Sequence, residues 1–276
     1  MITATATVVS TPQLEVSVAE AGAGEHLVYL HDVLFDVVDA SEELPAIVRL
    51  LASERHVIAP TLPGFRNLGD LESVSDVEDY ALLLADLLAA LDVGTPHLVG
   101  TGLGGWLAAE VATRYPSLIR SLTLVNAFGL RLESHPIGRF FEAAAPNPLG
   151  GRREVRELLF ADPDGEPAQG AMPDFPTDEA NERFFRHVHA ASRIGWTPPA
   201  FYNPKLLGRL SRVTVPTLVV WGSANRLVGD AHRASYSESI PGATSVTIGD
   251  AGHAVVVERP DELAAAISGF LAGVES

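Results

Sequence analysis

The sequence predicts an α/β protein, in which a mostly parallel sheet of eight strands is flanked by helices. Strand-like and helical segments alternate along most of its 276 residues, as they do in proteins built around parallel sheets. The later strand-like segments are short and apolar on both faces, which is typical of strands buried between two helical layers. A hydrophobic fraction of 47% in a chain of this length is sufficient for one large domain with a well-packed core.

The individual elements follow from the spacing of the apolar residues. Apolar and β-branched runs predict strands at 5–9, 14–19, 27–31, 56–60, 97–100, 122–126, 217–221 and 245–248. Apolar residues at helical spacing predict helices at 41–51, 77–91, 104–115, 231–240 and 261–270. Asp76 and Pro260 stand at the starts of two of these helices, as expected of a capping residue and of a proline in a first turn.

The alternation of strands and helices breaks between about residues 128 and 211. This interval contains more Pro, Arg and Phe, and its helical patterns are weaker, around 152–160 and 178–192. A strand-like run that begins at Val215 resumes the alternation. The interval is therefore interpreted as an insertion into the α/β core.

Composition restricts the partners and the chemistry. The net charge of −16 disfavours nucleic acid and anionic membranes as partners, and the absence of cysteine excludes disulfides, thiolate zinc sites and cysteine nucleophiles. No apolar run is long enough to cross a bilayer, and the N-terminal residues lack the basic segment of a secretory signal. We expect a cytoplasmic protein that acts on a small organic molecule.

A glycine-rich turn follows the predicted strand at 97–100 and leads into a helix. Residues 100–104 read Gly-Thr-Gly-Leu-Gly, which resembles the nucleophile elbow G-x-S-x-G of the α/β-hydrolases. Four further segments resemble motifs of the same family: Leu30-His31, Pro60–Phe65, Leu218–Leu227 and Gly249–Pro260. The resemblance implies an α/β-hydrolase fold, with a core at 1–127 and 212–276 and a helical cap at 128–211.

The chain departs from the family pattern at the positions that carry the chemistry. Gly102 stands at the position of the nucleophilic serine, and Asn225 at the position of the triad acid. Because both of these triad positions are changed, His253 alone remains of the triad that the resemblance implies. In addition, Asp32 replaces the glycine of the His-Gly loop. Serine hydrolysis requires a hydroxyl, a base and an acid that orients the base. Ordinary ester hydrolysis is therefore not expected.

The resemblance also predicts what the remaining residues of the site do. His253 is expected to act as a general acid or base, because the pKa of histidine lies near neutral. The main-chain N–H groups of Leu103 and of a residue just after His31 are expected to form an oxyanion hole. Asp32 is interpreted in two ways: it pairs with His253 or acts on the substrate, or it turns outward and caps the following segment.

Other candidate residues lie around this site. Asn225 is expected to orient His253, with Asn126 as a rival, and the Thr101 side chain is expected to point away from the elbow tip. Candidate substrate contacts are Trp106, Asn126, Trp196 and Tyr202, together with Arg131, His135, His187 and His189 in the predicted cap. His187 and His189 are two positions apart, which places them on different faces of a helix and makes them a poor metal pair. No metal or other cofactor is expected.

The sequence favours a cofactor-independent, non-hydrolytic enzyme that works on a natural-product intermediate of a bacterial pathway. The expected reaction is a cyclisation, a lyase reaction or a C–C bond-forming or addition step, with proton transfer by His253. One alternative is an atypical hydrolase of an ester, an epoxide or a C–C bond that uses water or Asp32 in place of serine. A further alternative is a non-catalytic protein that binds a small molecule. The substrate and the oligomeric state stay open.

Overall fold

The computed structural model describes residues 4–39, 42–135, 137, 139–144, 152–195 and 201–275. Eight strands form one sheet, with the order β1-β2-β4-β3-β5-β6-β7-β8. The pairs β1–β2 and β2–β4 are antiparallel, and all other neighbouring pairs are parallel. This sheet and its flanking helices confirm the predicted fold class. The strands are β1 Thr5–Ser10, β2 Glu15–Ala21, β3 His26–Leu30, β4 His56–Pro60, β5 His97–Thr101, β6 Ser121–Val125, β7 Thr217–Gly222 and β8 Thr244–Ile248.

Two helical layers cover the sheet, and strand alternation divides the core between them. Leu27 and Tyr29 of β3 belong to the cluster that includes buried residues of the first and last helices, whereas Val28 and Leu30 face the other cluster. The helices within the described residues are α1 Ala46–Ala52, α2 Val77–Ala90, α3 Gly102–Arg114, α4 Phe140–Ala144, α5 Arg152–Leu159, α6 Glu166–Ala171, α7 Asp178–Gly195, α8 Leu206–Arg209, α9 Asp230–Ser239, α10 Val255–Glu258 and α11 Pro260–Glu275. Short 3-10 turns lie at Leu68–Glu72, Pro116–Leu118 and Leu210–Arg212.

Two expectations about individual elements are wrong. The first helix was expected at 41–51, but α1 begins only at Ala46, because Pro45 has an extended ψ of 147° and a proline disfavours helix at the residue before it. The strand predicted at 245–248 is present, but it was expected to be buried like its neighbours. Strand β8 instead forms the edge of the sheet, pairs only with β7 and is exposed except at Ile248.

Helices α4–α8 lie between β6 and β7 in the chain, on the interval predicted to be a cap. Helix α7 packs against the 3-10 turn Leu68–Glu72, and α8 packs against α3. The rings of Phe128 and Phe201 stack with their centroids 4.3 Å apart, which ties the end of this interval to its beginning. The contact with the 3-10 turn places α7 above the segment that follows β4.

Candidate active site

The candidate site lies where the parallel strands end. Asp32 follows β3, Gly102 follows β5, Asn225 follows β7 and His253 follows β8, each within five residues of its strand. The carboxyl ends of parallel strands meet at one edge of the sheet, which is where ligands bind in open α/β folds. The topology therefore brings together four loops that are far apart in the sequence.

The turn from β5 into α3 is made at Gly102, whose φ is +45°. Glycine adopts this left-handed conformation without the steric cost that a Cβ imposes. A Cβ on Gly102 would also overlap the carboxylate of Asp32. The space beside the turn is thus occupied by the side chain of Asp32.

Asp32 points into the site, and the interpretation in which it turns outward is wrong. Its Oδ1 accepts a hydrogen bond from the Leu103 N–H at 2.8 Å, and its Oδ2 lies 3.0 Å from Nε2 of His253. The Val33 N–H also donates to this carboxylate. The Leu103 N–H, which the sequence assigns to a substrate oxyanion, is therefore already bonded to Asp32. The expectation that it is available as an oxyanion-hole donor is wrong for this state of the site.

Asp32 remains ionised despite being removed from water. Burial raises the pKa of the Asp32 carboxyl, but the hydrogen bond from His253, the positive charge of His253 when its ring is protonated, and the N–H groups of Leu103 and Val33 outweigh burial and hold the pKa below its ordinary value. The carboxylate is stabilised by these donors. Losing one of them would raise the pKa of Asp32.

Asn225 determines which nitrogen of His253 carries the proton. Its Oδ1 accepts the N–H groups of Leu227 at 3.1 Å and Val228 at 3.0 Å, so its Nδ2 is the atom that faces Nδ1 of His253, at 3.3 Å. An amide NH₂ group only donates, and therefore Nδ1 of the imidazole accepts. Neutral His253 then carries its hydrogen on Nε2 and donates it to Asp32.

Asp36 completes the site and was missed by sequence reasoning. It is fully buried, and its carboxylate accepts the Asp32 N–H at 2.9 Å, the hydroxyl of Tyr29 at 2.6 Å and the hydroxyl of Thr101. Burial, followed by the charge of Asp32, raises the pKa of Asp36 to about 6. A second carboxylate four residues after Asp32, within an apolar segment, is the sequence signal that could have found it.

Several predicted site residues support the loops and are not brought to the cavity. The amide of Asn126 donates to the carbonyls of Gly252 and His253 and accepts the Gly222 N–H, so it holds the His253 loop and is not available to a substrate. Trp106 is buried and donates to Glu110 at 3.0 Å, which makes it a packing residue.

His31 and Thr101 likewise fasten the segment that carries Asp32. The Leu62 N–H donates to Nε2 of His31, so Nδ1 carries the hydrogen and donates to the Asp32 carbonyl at 2.7 Å. Burial lowers the pKa of His31 to about 4, which keeps its ring neutral. The Thr101 hydroxyl lies 3.3 Å from the Leu30 carbonyl and bonds Asp36, away from the tip of the elbow as expected.

The candidates of the predicted cap are dispersed. Tyr202 is half-buried beneath the guanidinium of Arg131, 5.7 Å from its ring centroid, and it does not line the cavity at Asp32. His187 is buried and His189 is exposed, so they face different surroundings. Trp196 lies outside the described residues. Within the part of the chain that the structure describes, no three His, Cys, Asp or Glu residues are grouped as a metal site.

The cavity at the Asp32–His253 pair is small. Its volume is about 10 Å³, about enough for one water molecule, and it is lined by apolar side chains that include Phe35, Phe128, Phe140 and Leu159. The ring of Phe128 lies 4.9 Å from that of His253. A substrate must therefore displace some of these side chains to reach the pair.

The fold and these motifs define an α/β-hydrolase, and comparison with known proteins agrees. The model of the alpha/beta hydrolase family matches residues 22–266, and the chain belongs to that family. Monoacylglycerol lipase ABHD6 of Mus musculus is 26% identical over 254 residues, which cover 84% of this chain and 72% of the relative. The dihydrolipoyllysine-residue acetyltransferase component of the acetoin cleaving system of Pseudomonas putida is 28% identical over 225 residues. That match covers 80% of this chain but only 57% of the relative.

Solved structures give the same family context. A membrane phospholipase A, a bacterial virulence factor, superposes with a TM-score of 0.76 at 25% identity, covering 99% of this chain and 87% of the other. The serine hydrolase CarC of carbazole degradation has a TM-score of 0.73 at 22% identity, covering 98% and 99%, and this likeness concerns the fold alone. Three of these four proteins are hydrolases by name, and the fourth is an acetyltransferase component. Among the described residues, none of the helices is both long and apolar enough to cross a membrane.

Proposed function

We propose that this chain is a cofactor-independent proton-transfer enzyme in which Asp32 and His253 replace the serine mechanism of the family. The observation that carries the proposal is the 3.0 Å contact between Oδ2 of Asp32 and Nε2 of His253, directly above Gly102. At the position that the family motif gives to the serine, this chain has no side chain and a carboxylate from another loop fills the space. No acyl-enzyme can form at Gly102.

The two groups have complementary roles. The Asp32 carboxylate is a base, and the Nε2–H of neutral His253 is a hydrogen-bond donor that stabilises a developing oxyanion. A neutral imidazole suffices for this role, as the handling of carbonyl substrates by neutral histidines in other enzymes illustrates. Asn225 fixes the tautomer that the role requires.

Substrate binding activates the base in this scheme. A substrate oxygen that accepts the Nε2–H of His253 takes that hydrogen bond away from Asp32. The pKa of Asp32 then rises, because a donor that lowered it is lost, and the carboxylate becomes a stronger base that removes a proton from the substrate. The protonated Asp32 returns this proton to another atom of the substrate, so the enzyme ends unchanged. The reactions that fit are a cyclisation, a lyase step or an intramolecular addition, and a natural-product intermediate is the substrate class we favour.

Hydrolysis that uses Asp32 is the second candidate. Two main-chain N–H groups hold Asp32, while Oδ2 faces the cavity, which is an arrangement that suits a carboxylate nucleophile or a base for water. The named relatives, which are mostly hydrolases, favour it. The tautomer of His253 argues against it, because an imidazole protonated on Nε2 cannot take a proton from water at that atom.

Isotope labelling tests the proposal. The protein is incubated with a metabolite extract of its source in D₂O and, separately, in H₂¹⁸O, and the products are analysed by mass spectrometry beside Asp32→Asn and His253→Ala. We expect a product isomeric with its precursor, or formed from it by elimination, that contains deuterium or shows back-exchange, contains no ¹⁸O and is absent with both variants. A product that gains ¹⁸O would establish the hydrolase instead. A compound that is retained unchanged would identify a binding protein.

A further inference from the structure

A larger cavity lies next to the small one at the Asp32–His253 pair. It has a volume of about 270 Å³ and is lined mainly by the segment after β3, the residues before α1, and helix α7. This space is large enough for several water molecules or for a small organic molecule. Its size is near the lower end for ligand pockets.

The two cavities share a wall. Leu34 and Phe35 line both of them, and both side chains are only half-buried. The ring of Phe35 rests edge-on against Phe160, with the centroids 5.2 Å apart. A shift of these two side chains would join the larger cavity to Asp32.

On the opposite side of the small cavity, the segment of residues 159–161 is held in place by hydrogen bonds. The Ala254 N–H donates to the Leu159 carbonyl at 2.8 Å, and the Glu258 carboxylate accepts the Ala161 N–H at 2.7 Å. Arg226 donates to the carbonyls of Phe160 and Ala161, each at 3.0 Å. Because this segment is bonded to the loop that carries His253, opening it would cost several hydrogen bonds. The side of Leu34 and Phe35 is the less costly route.

The larger cavity contains an unmatched positive charge. Three arginines and three acidic residues line it, and Arg66 pairs with Asp39 at 3.6 Å while Arg183 pairs with Glu42 at 3.3 Å. The third acid, Glu43, pairs at 2.6 Å with Arg49, which is not part of the lining. Among the residues that the structure describes, no carboxylate pairs with the third arginine, Arg186.

One hydrogen bond to the protein orients the guanidinium of Arg186 and uses only its Nε. Its Nε donates to the Phe65 carbonyl at 3.1 Å, which leaves the forked Nη1 and Nη2 groups for a ligand. The neighbouring His187 adds no charge, because burial, together with the charge of Arg186, lowers its pKa to about 3. The fork of Arg186 fits a carboxylate in bidentate geometry.

We propose that this cavity binds the carboxylate of an organic acid through Arg186, and that the reactive end of the same molecule passes Leu34 and Phe35 to reach Asp32 and His253. The proposal rests on the proposed function and specifies its substrate class as an organic anion. An uncharged substrate would leave Arg186 without a partner in a half-buried site.

The test compares a carboxylate probe with its uncharged isostere. Binding of 3-phenylpropanoate and of 3-phenylpropanamide to the full chain is measured by ¹H–¹⁵N NMR titration. We expect the acid to shift resonances of α7 and of residues 33–38 and to bind about tenfold or more tightly than the amide, as the loss of a charged hydrogen bond predicts. Arg186→Gln should remove this preference and Arg186→Lys should reduce it, because lysine keeps the charge without the fork.

Arg193, exposed on the same helix and outside the cavity, provides the matched control. Arg193→Gln should bind the acid as the unmodified chain does, and the thermal transitions of all variants are recorded to exclude unfolding. Equal binding of acid and amide, absence of binding, or equal losses in Arg186→Gln and Arg193→Gln would overturn the proposal. Because binding is measured without turnover, and is expected to persist in Asp32→Asn, failure of the proposed reaction would leave this result unaffected.

Discussion

Introducing a serine at the elbow should destabilise the protein for as long as Asp32 is present. A side chain at Gly102 must adopt a left-handed φ of +45°, at about 1–2 kcal/mol, and its Cβ overlaps the Asp32 carboxylate. Displacing that carboxylate removes its bonds to Leu103 and His253, at about 1.5–3 kcal/mol each. Gly102→Ser should therefore cost about 4–8 kcal/mol, a large part of the 5–15 kcal/mol that typically stabilises a domain.

A double-mutant cycle isolates this effect. Urea denaturation is measured for the unmodified chain, Gly102→Ser, Asp32→Gly and the double variant. In the Asp32→Gly background the overlap is gone and only the backbone strain remains, so the two changes should be coupled by at least about 2–3 kcal/mol. Additivity to within about 0.5 kcal/mol would refute the reasoning, because it would mean that Asp32 does not occupy the space beside Gly102.

The same geometry determines how esterase activity could be restored. Gly102→Ser with Asn225→Asp supplies a hydroxyl and a triad acid, but Asp32 still blocks the hydroxyl and holds Nε2 of His253. We expect hydrolysis of 4-nitrophenyl acetate only when Asp32→Gly is added to these two changes. Activity in the double variant with Asp32 retained would contradict the assignment of the blocking role.

Three further predictions concern the buried titratable groups. The pKa of Asp36 is raised to about 6, so between about pH 4 and 6 the folded chain binds more protons than the unfolded chain. The protonated Asp36 therefore contributes to the free energy of unfolding, and this contribution is lost as the pH rises through that window. Urea denaturation at several pH values should show that Asp36→Asn removes a contribution of up to about 3 kcal/mol, and identical pH profiles would contradict this. Thr101→Val should raise the pKa of Asp36 further, because its hydroxyl bonds the ionised carboxylate; an unchanged midpoint in a carboxyl ¹³C NMR titration would count against this bond. Burial lowers the pKa of His31 and His232 to about 4 and that of His187 to about 3, so the free energy of unfolding should fall as the pH drops below about 6.5. Replacing His232 by Asn should make that fall less steep. An unaltered slope would show that His232 is not kept neutral by the fold.

The fold class and most strands and helices could be predicted from sequence because short apolar strands and amphipathic helices carry their own periodic signals. The strand at 56–60 matches β4 in both bounds, and α2 differs from its prediction by one residue. The start of α1 was missed because the effect of Pro45 on the preceding residue outweighs the apolar spacing that continues before it.

The site was only partly predictable, because the direction of a loop side chain depends on contacts between distant segments. Asp32 was recognised as unusual, but its orientation depends on the fastening of its backbone by His31 and Asp36. Asp36 itself lies in an apolar segment where no motif marks it. Asn126 was placed near the right loop but in the wrong role, since its amide is used entirely by main-chain groups.

The central claim is that Asp32 accepts the Nε2–H of a neutral His253 in the space beside Gly102. Two-bond ¹H–¹⁵N correlation spectra of the histidine rings test it directly, with His253 assigned by comparison with His253→Gln. We predict that near neutral pH Nε2 of His253 is protonated and Nδ1 is not, and that Asp32→Asn shifts the Nε2 resonance. In Asn225→Asp, Nδ1 should become protonated as well. A ring protonated on Nδ1 in the unmodified chain, or an Nε2 resonance that Asp32→Asn leaves unchanged, would contradict the account.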